Sequence, residues 1–258
     1  MIEIKNLSFS YTKEEYIQNL SLTLNDGELT VLIGANGSGK STLSRLAVGE
    51  LLPKEGEIRI DGDPLGSLDR YELAKRLCYF PEGRPIPHLS VIETASLGRF
   101  PYTRGRFGRT DEDRAAVEKA LSITELGELR DRRLDSLSYG QRQRAFLAML
   151  LAQGAKNAVF DEPTNFLDEG ARFKMLDLIK GLSKNGAVLA VLHDLSLALS
   201  YADRIILMSD GGVAFDGTPD ELYRCGTVEK ALGVRLMRVE SEDGRTAYLA
   251  LGKTDFNN

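Results

Sequence analysis

The chain is short of cysteine and has no long apolar run. Two cysteines, Cys78 and Cys225, stand among 258 residues. That is too few for a disulfide framework and suits a reducing compartment. Each reads as a buried apolar residue rather than half of a redox pair. No stretch approaches the roughly 20 apolar residues that span a bilayer. The richest, 145–152 and 187–192, have the size of a core helix and a core strand. The opening Met-Ile-Glu-Ile-Lys lacks the form of a signal peptide. Any link to a membrane is therefore expected to run through a partner. An excess of positive charge is missing too: 33 Lys plus Arg against 38 Asp plus Glu leave a formal charge of -5. Such a balance makes a poor general nucleic-acid binder. Repeats and low-complexity segments are also missing.

What is present is ordinary globular material, 42% hydrophobic and 28% charged, long enough for one large domain or a core with a subdomain. Strands are expected at 2–9, 20–24, 29–33, 57–60 and 78–80. The run 29–33, apolar but for Thr30, ends in glycine, the pattern of a strand buried on both faces. A helix follows the glycine-rich loop, over about 40–49. From 83 to 153 the period is helical. Ser90 with Glu93, and Ser138 with Gln141, form capping-box pairs. Thr110 caps a helix over 111–122, and the helix opened by Ser138 runs to about Gln153. Strands return at 158–160, 187–192 and 204–208. Asn157 is polar where a buried strand prefers an aliphatic residue, so that strand is expected to begin after it. A helix over 168–184 is expected to end on Asn185-Gly186 as its C-cap. Asp210-Gly211-Gly212 signals a hairpin, Thr218-Pro219 a helix start, and 234–239 with 246–251 a last hairpin around Asp243-Gly244.

Gly34-Ala35-Asn36-Gly37-Ser38-Gly39-Lys40-Ser41 matches G-x-x-x-x-G-K-[ST] between a strand and a helix. Glycines let successive N–H groups point inward around phosphate oxygens, and the helix N-terminus adds positive potential. Lys40 is placed to reach the β- and γ-phosphates and the Ser41 hydroxyl to ligate Mg²⁺. With Thr42 the nucleotide-binding span is 34–42. The bland alternative is a glycine-rich turn without a ligand. Such a loop does not by itself separate kinases, GTPases, helicases and transport ATPases.

Asp161 and Glu162 close an apolar strand. Side chains alternate along a strand, so one acid can face the metal and the other the attacking water. Asp161 is assigned to Mg²⁺ and Glu162 to polarising water; a solvated strand end is the alternative. Ser138-Tyr139-Gly140-Gln141 opens a long helix whose free N–H groups form an anion site, or else only an ordinary capping box.

Together these motifs resemble the ABC ATPase family over nearly the whole chain. The motif order fits: Tyr11, 34–42, a loop near 82, 138–141, Asp161-Glu162, Asp168 and His193. The resemblance implies an α/β fold: a P-loop NTPase (RecA-like) core over 1–82 and 154–233 with an antiparallel β subdomain. It implies an inserted all-helical subdomain over 83–153, and leaves 234–258 as a C-terminal hairpin extension. It implies ATP and Mg²⁺ as ligands, with Tyr11 stacking on adenine. Ser138, Gly140 and Gln141 would contact the γ-phosphate held by a second copy of the chain. Asp168 would communicate across that dimer, and His193 would sense the γ-phosphate. Taken alone, Tyr11 could be a strand-end core tyrosine, Asp168 a helix N-cap and His193 a solvated strand end. Two departures stand out. Glu82 replaces the usual glutamine; its charge beside an anionic triphosphate is costly unless it binds metal directly, and it is expected to keep the metal role with altered turnover or metal preference. Tyr139 replaces a usual glycine, while Gly140 remains.

The stretch from Leu97-Gly98-Arg99-Phe100-Pro101-Tyr102 to Arg109, followed by 111–120, is similar to ATPase subunits of importers for iron-siderophore, haem or cobalamin. Phe215-Asp216-Gly217-Thr218-Pro219 is typical of importers of several kinds. Arg99, Arg104, Arg106 and Arg109, interleaved with aromatics, could form a nucleic-acid patch, but a solvated loop or a permease-facing surface suits the acidic whole better. The resemblance implies integral-membrane permease subunits as partners, a substrate-binding protein indirectly, no nucleic acid, and a place at the cytoplasmic face of the cell membrane. The alternatives are a soluble ABC ATPase of the iron-sulfur assembly type and an ATP-gated clamp that barely hydrolyses. A single phosphate loop disfavours tandem-domain translation factors.

Overall fold

The computed structural model of the chain describes residues 1–12, 16–103, 109–240, 242, 244 and 246–252. Two sheets carry the architecture. The first is antiparallel, in the order β2-β1-β4-β5, built from β1 (Ile2–Phe9), β2 (Ile17–Leu24), β4 (Glu55–Ile60) and β5 (Asp63–Pro64). The second has six strands in the order β10-β9-β3-β8-β7-β6: β3 (Leu29–Gly34), β6 (Leu77–Phe80), β7 (Asn157–Asp161), β8 (Val188–Val191), β9 (Arg204–Ser209) and β10 (Gly212–Gly217). Five of these run parallel, and β10 adds an antiparallel edge. The hairpin at 210–211 is confirmed, with Asp210 at φ 49° and Gly211 at φ 74°, the pair of positive angles that matches strand twist. This is an α/β fold with the glycine-rich loop at the end of β3.

Alternation along the parallel strands divides the core in two. Leu32, Val159, Leu189, Val191, Ile206 and Met208 face the antiparallel sheet and α1 (Lys40–Ala47). Val31, Ile33, Phe160, Ala190, Ile205 and Leu207 face the other way. They pack with the helices that lie between β6 and β7 in sequence, and with α7 (Glu169–Ser183). After α2 (Arg70–Arg76), those intervening helices are α3 (Val91–Leu97), α4 (Phe100–Thr103), α5 (Asp111–Ile123) and α6 (Tyr139–Gln153). The boxes at Ser90, Thr110 and Ser138 all form, each with its N3 side chain reaching back.

Several expectations fail for reasons of tertiary environment. Asn157 belongs to its strand and is fully buried. Its amide donates to Asp61 and to the Arg76 carbonyl at 3.1 Å, and its oxygen accepts the Ala187 N–H at 3.2 Å, so every polar atom is satisfied. The helix before Gly186 is capped at Lys184. Glycine is needed at 186 for another reason: a Cβ there would sit 1.8 Å from the Lys156 carbonyl oxygen. Arg99 is no surface arginine. It is buried where α3, α5 and α6 meet, donating to Asp113 at 2.8 Å and to the Ala152 carbonyl at 3.0 Å, the pairing that a buried charge requires. Arg104 and Arg106 lie outside the described residues. Cys78 is buried as expected, whereas Cys225 is exposed.

The chain continues through α8 (Leu195–Tyr201), α9 (Pro219–Cys225) and α10 (Thr227–Leu232) into a separate two-stranded sheet, β11 (Val234–Glu240) and β12 (Thr246–Gly252). Thr218 caps α9 with Pro219 at the helix start, as expected. The hairpin rests on α8, where the Ala250 N–H donates to Ser196 Oγ at 3.2 Å. Of its expected turn, Asp243 lies outside the described residues.

Candidate functional site

Parallel strands bring their C-terminal ends to one edge. Leu32 pairs with Val191, Asp161 with Val191, and Phe80 with Phe160. The register therefore sets the 34–39 loop, Asp161-Glu162, His193 and Glu82 along the same rim.

The glycine-rich loop is shaped for an anion. Gly34, Gly37 and Gly39 have φ of 155°, 82° and 106°, and a Cβ on Gly34 would lie 2.4 Å from the Met208 carbonyl oxygen. Helices α3, α5, α6 and α9 open on capping boxes, and α2, α7 and α8 on an aspartate cap. Helix α1, like the six-residue α10, opens on a glycine with no side-chain cap, so its first N–H groups, at the end of the glycine-rich loop, stay available to a ligand. Lys40 is buried and folds back, its Nζ donating to the carbonyls of Gly34 and Ala35 at 2.9 Å. Burial pulls its ammonium below the ordinary lysine range, against the attraction of Glu162 and Asp161. Ser38 Oγ is buried without a partner. An uncapped helix start, a lysine satisfied only by loop carbonyls and an orphaned hydroxyl are the groups a bound polyphosphate would satisfy.

The two acids diverge as strand geometry requires. Asp161 turns toward α1, accepting from Ser41 Oγ at 3.4 Å and Ser44 Oγ at 3.3 Å. Burial pushes its carboxyl up, the two hydroxyls oppose that, and the charges of Glu162 and Glu82 add to the rise. Glu162 sits at φ 52° and turns the other way, contacting His193 Nε2 through Oε1 and Asn165 Nδ2 through Oε2. The Asn165 amide also donates to Glu82 Oε1 at 3.3 Å. Among the described residues, no three His, Cys, Asp or Glu side chains gather closely enough to hold a metal unaided. Hard Mg²⁺ asks for less, taking one or two protein oxygens and completing its shell with phosphate and water. Ser41 beside Asp161 fits that pattern.

One cavity is walled by the loop from Asn36 to Thr42 together with Tyr16, Glu162 and His193. Tyr11 lies at its margin, 57% exposed, with its hydroxyl 3.1 Å from Thr42 Oγ1. Tyr16, overlooked in the sequence, donates from its hydroxyl to the Gly37 carbonyl at 2.6 Å. Ser44 and Asn165 were overlooked too. Ser44 is one helical turn from Ser41 and Asn165 three residues from Glu162, spacings that the sequence displays but that only the fold makes meaningful.

Ser138, Gly140, Gln141 and Asp168 are absent from that cavity and line a different one between α6 and α7. Ser138 and Gln141 cap one another, and Asp168 accepts from the Ala171 N–H at 2.8 Å. A Cβ on Gly140 would meet only Leu167 Cδ2, at 3.7 Å, so nothing among the described residues demands glycine there. A third cavity joins Glu82, Arg84, Tyr139, Gln143, Glu162 and Asn165. Burial there pulls the Arg84 guanidinium down to about 9.

Residues 17–165 match the family model described as ABC transporter. The chain is 36% identical to the petrobactin import ATP-binding protein YclP of Bacillus subtilis (strain 168), over 89% of this chain and 92% of that protein. It is 34% identical to the ferric enterobactin transport ATP-binding protein FepC of Escherichia coli (strain K12), over 97% of this chain and 94% of that one. A dimeric ATP-binding cassette solved in a post-hydrolysis state with ADP and Pi superposes at a TM-score of 0.73 and 28% identity, over 85% of this chain and 99% of that one.

Proposed function

This chain belongs to the ABC transporter family and is an ATP hydrolase of that family; from that premise we propose that it is the motor subunit of a membrane importer, with ferric siderophores as the favoured cargo class and haem or cobalamin next. The observation that carries the ATPase reading is the uncapped start of α1 beside Ser41-Asp161 and Glu162-His193 on one rim. The cargo reading rests on relatives whose names specify petrobactin and enterobactin.

In this reading the triphosphate lies along 34–42. Lys40 leaves its two loop carbonyls for the β- and γ-phosphates, and the free N–H groups of α1 hold the remaining oxygens. Ser41, Asp161 and Glu82 are the residues that would hold Mg²⁺, which when bound neutralises charge on the β- and γ-phosphate oxygens. Glu162 orients the attacking water and takes its proton, and His193 fixes the Glu162 carboxylate from the far side. Tyr11 offers a ring face to the adenine.

The helix start at Ser138, Gly140 and Gln141, with Asp168, stands apart from this cavity, so a second copy supplies it to the γ-phosphate. The permissive space at Gly140 supports close approach by that partner. Binding of ATP favours the closed pair and hydrolysis reopens it, and the permease follows that motion. We divide the chain into an ATP-binding core, 1–82 and 154–233, a helical subdomain, 83–153, and the 234–258 extension. Among the described residues no helix is long and apolar enough to cross a membrane; attachment at the cytoplasmic face would run through the permease, with a substrate-binding protein on the far side.

The test is steady-state Mg-ATP hydrolysis by the purified chain over a range of protein concentrations. Specific activity that rises with concentration supports a site shared between two copies. Hydrolysis independent of concentration refutes the shared site, and its absence with and without permease refutes the motor.

A further inference from the structure

β7 ends on Asp161, and the chain turns sharply after it. Glu162 sits at φ 52°, and the Asn165 N–H donates to the Glu162 carbonyl at 3.3 Å. That turn folds the Asn165 side chain back over a carboxylate three residues before it. Its Nδ2 donates to Glu162 Oε2 and, at 3.3 Å, to Glu82 Oε1. One nitrogen thus joins the end of β7 to the loop after β6, two segments far apart in sequence.

The Glu162 side chain is 8% exposed, with Oε1 on His193 Nε2. A carboxylate so enclosed needs its lone pairs met. Ionised carboxylates accept and cannot donate, so two of them side by side repel and neither can orient the other. After burial, the charges of Glu162 and Glu82 are what raise the neighbouring Asp161 carboxyl. Among uncharged side chains, only asparagine and glutamine carry two protons on one atom. Reversing the amide would set an oxygen against both acids. A lysine or arginine could also donate twice, but its charge would offset those that a metal ion and a water proton need. A neutral amide orients both carboxylates and neutralises neither.

We propose that Asn165 is a positioning residue for hydrolysis: its amide gives one proton to Glu162 and one to Glu82, so that the base and the 82 loop are held in a single arrangement. This deepens the reading above, in which Glu162 takes the proton of the attacking water and Glu82 faces the metal, and it rests on that reading. Asn165 acts through the two carboxylates. Asn165→Ser leaves one hydroxyl proton for two carboxylates, so one of them is abandoned. Glu82→Gln removes the shortage, because the amide it introduces carries N–H groups of its own.

A double-mutant cycle on the full chain tests it, with Asn165→Ser, Glu82→Gln and the pair. The readouts are Mg-ATP turnover at saturating ATP and ATP affinity in EDTA. With Glu82 in place, Asn165→Ser is expected to lower turnover about tenfold, about 1.4 kcal/mol in barrier, while affinity stays within about threefold of the parent. In the Glu82→Gln background the same change is expected to cost less than about threefold in turnover. Equal losses in both backgrounds, or none in either, overturn the proposal, and so does a loss confined to affinity. Should Asn165→Ser fail to fold, Asn165→Thr replaces it with the same expectation, since it too carries one hydroxyl proton. Glu162→Gln in the same assay separates the two failures. Turnover there close to the parent's refutes the base reading and this proposal with it. Turnover lost there, with additive losses in the cycle, refutes the Asn165 tie alone.

Discussion

Glu162→Gln isolates the step that the proposed mechanism gives to one carboxylate. The amide matches glutamate in length and tolerates the φ of 52° equally, so the fold and the Asn165 contact persist. What disappears is a base. Asp161 cannot replace it, because its two oxygens are turned to Ser41 and Ser44. Loss of a positioned general base costs about 10²–10⁴ in rate, or about 2.7–5.5 kcal/mol in barrier. Affinity should move the other way. Two unit charges about 8 Å apart at an effective dielectric near 20 repel by about 2 kcal/mol. Removing one of them beside the phosphates therefore tightens ATP binding by up to about thirtyfold. Phosphate release and equilibrium nucleotide binding, measured on the same preparation, read both effects. Light scattering with Mg-ATP should show the variant accumulating as a dimer that hydrolysis no longer opens. Turnover within about threefold of the parent would remove Glu162 from the mechanism, whatever the affinity did. Weakened binding would mean that its charge is not felt at the phosphates.

Asp161→Asn should abolish hydrolysis yet stabilise the nucleotide-free chain. Burial raises the Asp161 carboxyl, so the folded state holds that proton more tightly than the unfolded state. Its contribution is best at low pH and declines as pH rises above about 4, the ordinary aspartate value. Melting curves should show the asparagine variant ahead by a few degrees at pH 7, with the gap closing toward pH 4; a gap that widens on acidification would reverse the sign. Asn157→Leu orphans the buried Ala187 N–H and takes a donor from Asp61 and from the Arg76 carbonyl. Urea titration should register a loss of about 2–4 kcal/mol, and a loss below about 1 kcal/mol would mean that water replaces the amide. Gly140→Ala should leave the melting temperature within a degree or two, since only Leu167 Cδ2 is near, while turnover drops at least tenfold through the crowded partner face. Unaltered turnover would place the second copy elsewhere. Glu82→Gln should change either the rate or the Mg²⁺ concentration dependence, and identical curves would show that position 82 takes no part in metal binding.

The readings that held share a short reach along the chain. The capping boxes at Ser90 and Ser138 and the caps at Thr110 and Thr218 are contacts between i and i+3, and the run of β3 states its double burial in five consecutive residues. Those that failed depend on residues far away. Asn157 looked like a blemish because its partners are at 61, 76 and 187. Gly186 looked like a helix cap because the crowding carbonyl is on Lys156. Arg99 looked solvated because its carboxylate is on α5 and its carbonyl acceptor on α6. The site divides the same way. Its loop, its two strand-end acids and His193 carry motif and spacing, while Tyr16, Ser44 and Asn165 acquire meaning only from the side chains beside them. Gly140 is the reverse case: the helix around it is complete, yet nothing among the described residues calls for glycine. A residue type set by the motif and left unexplained by its own chain points to a contact from outside, and this one lies at the mouth of α6, where a second nucleotide-loaded copy would meet it.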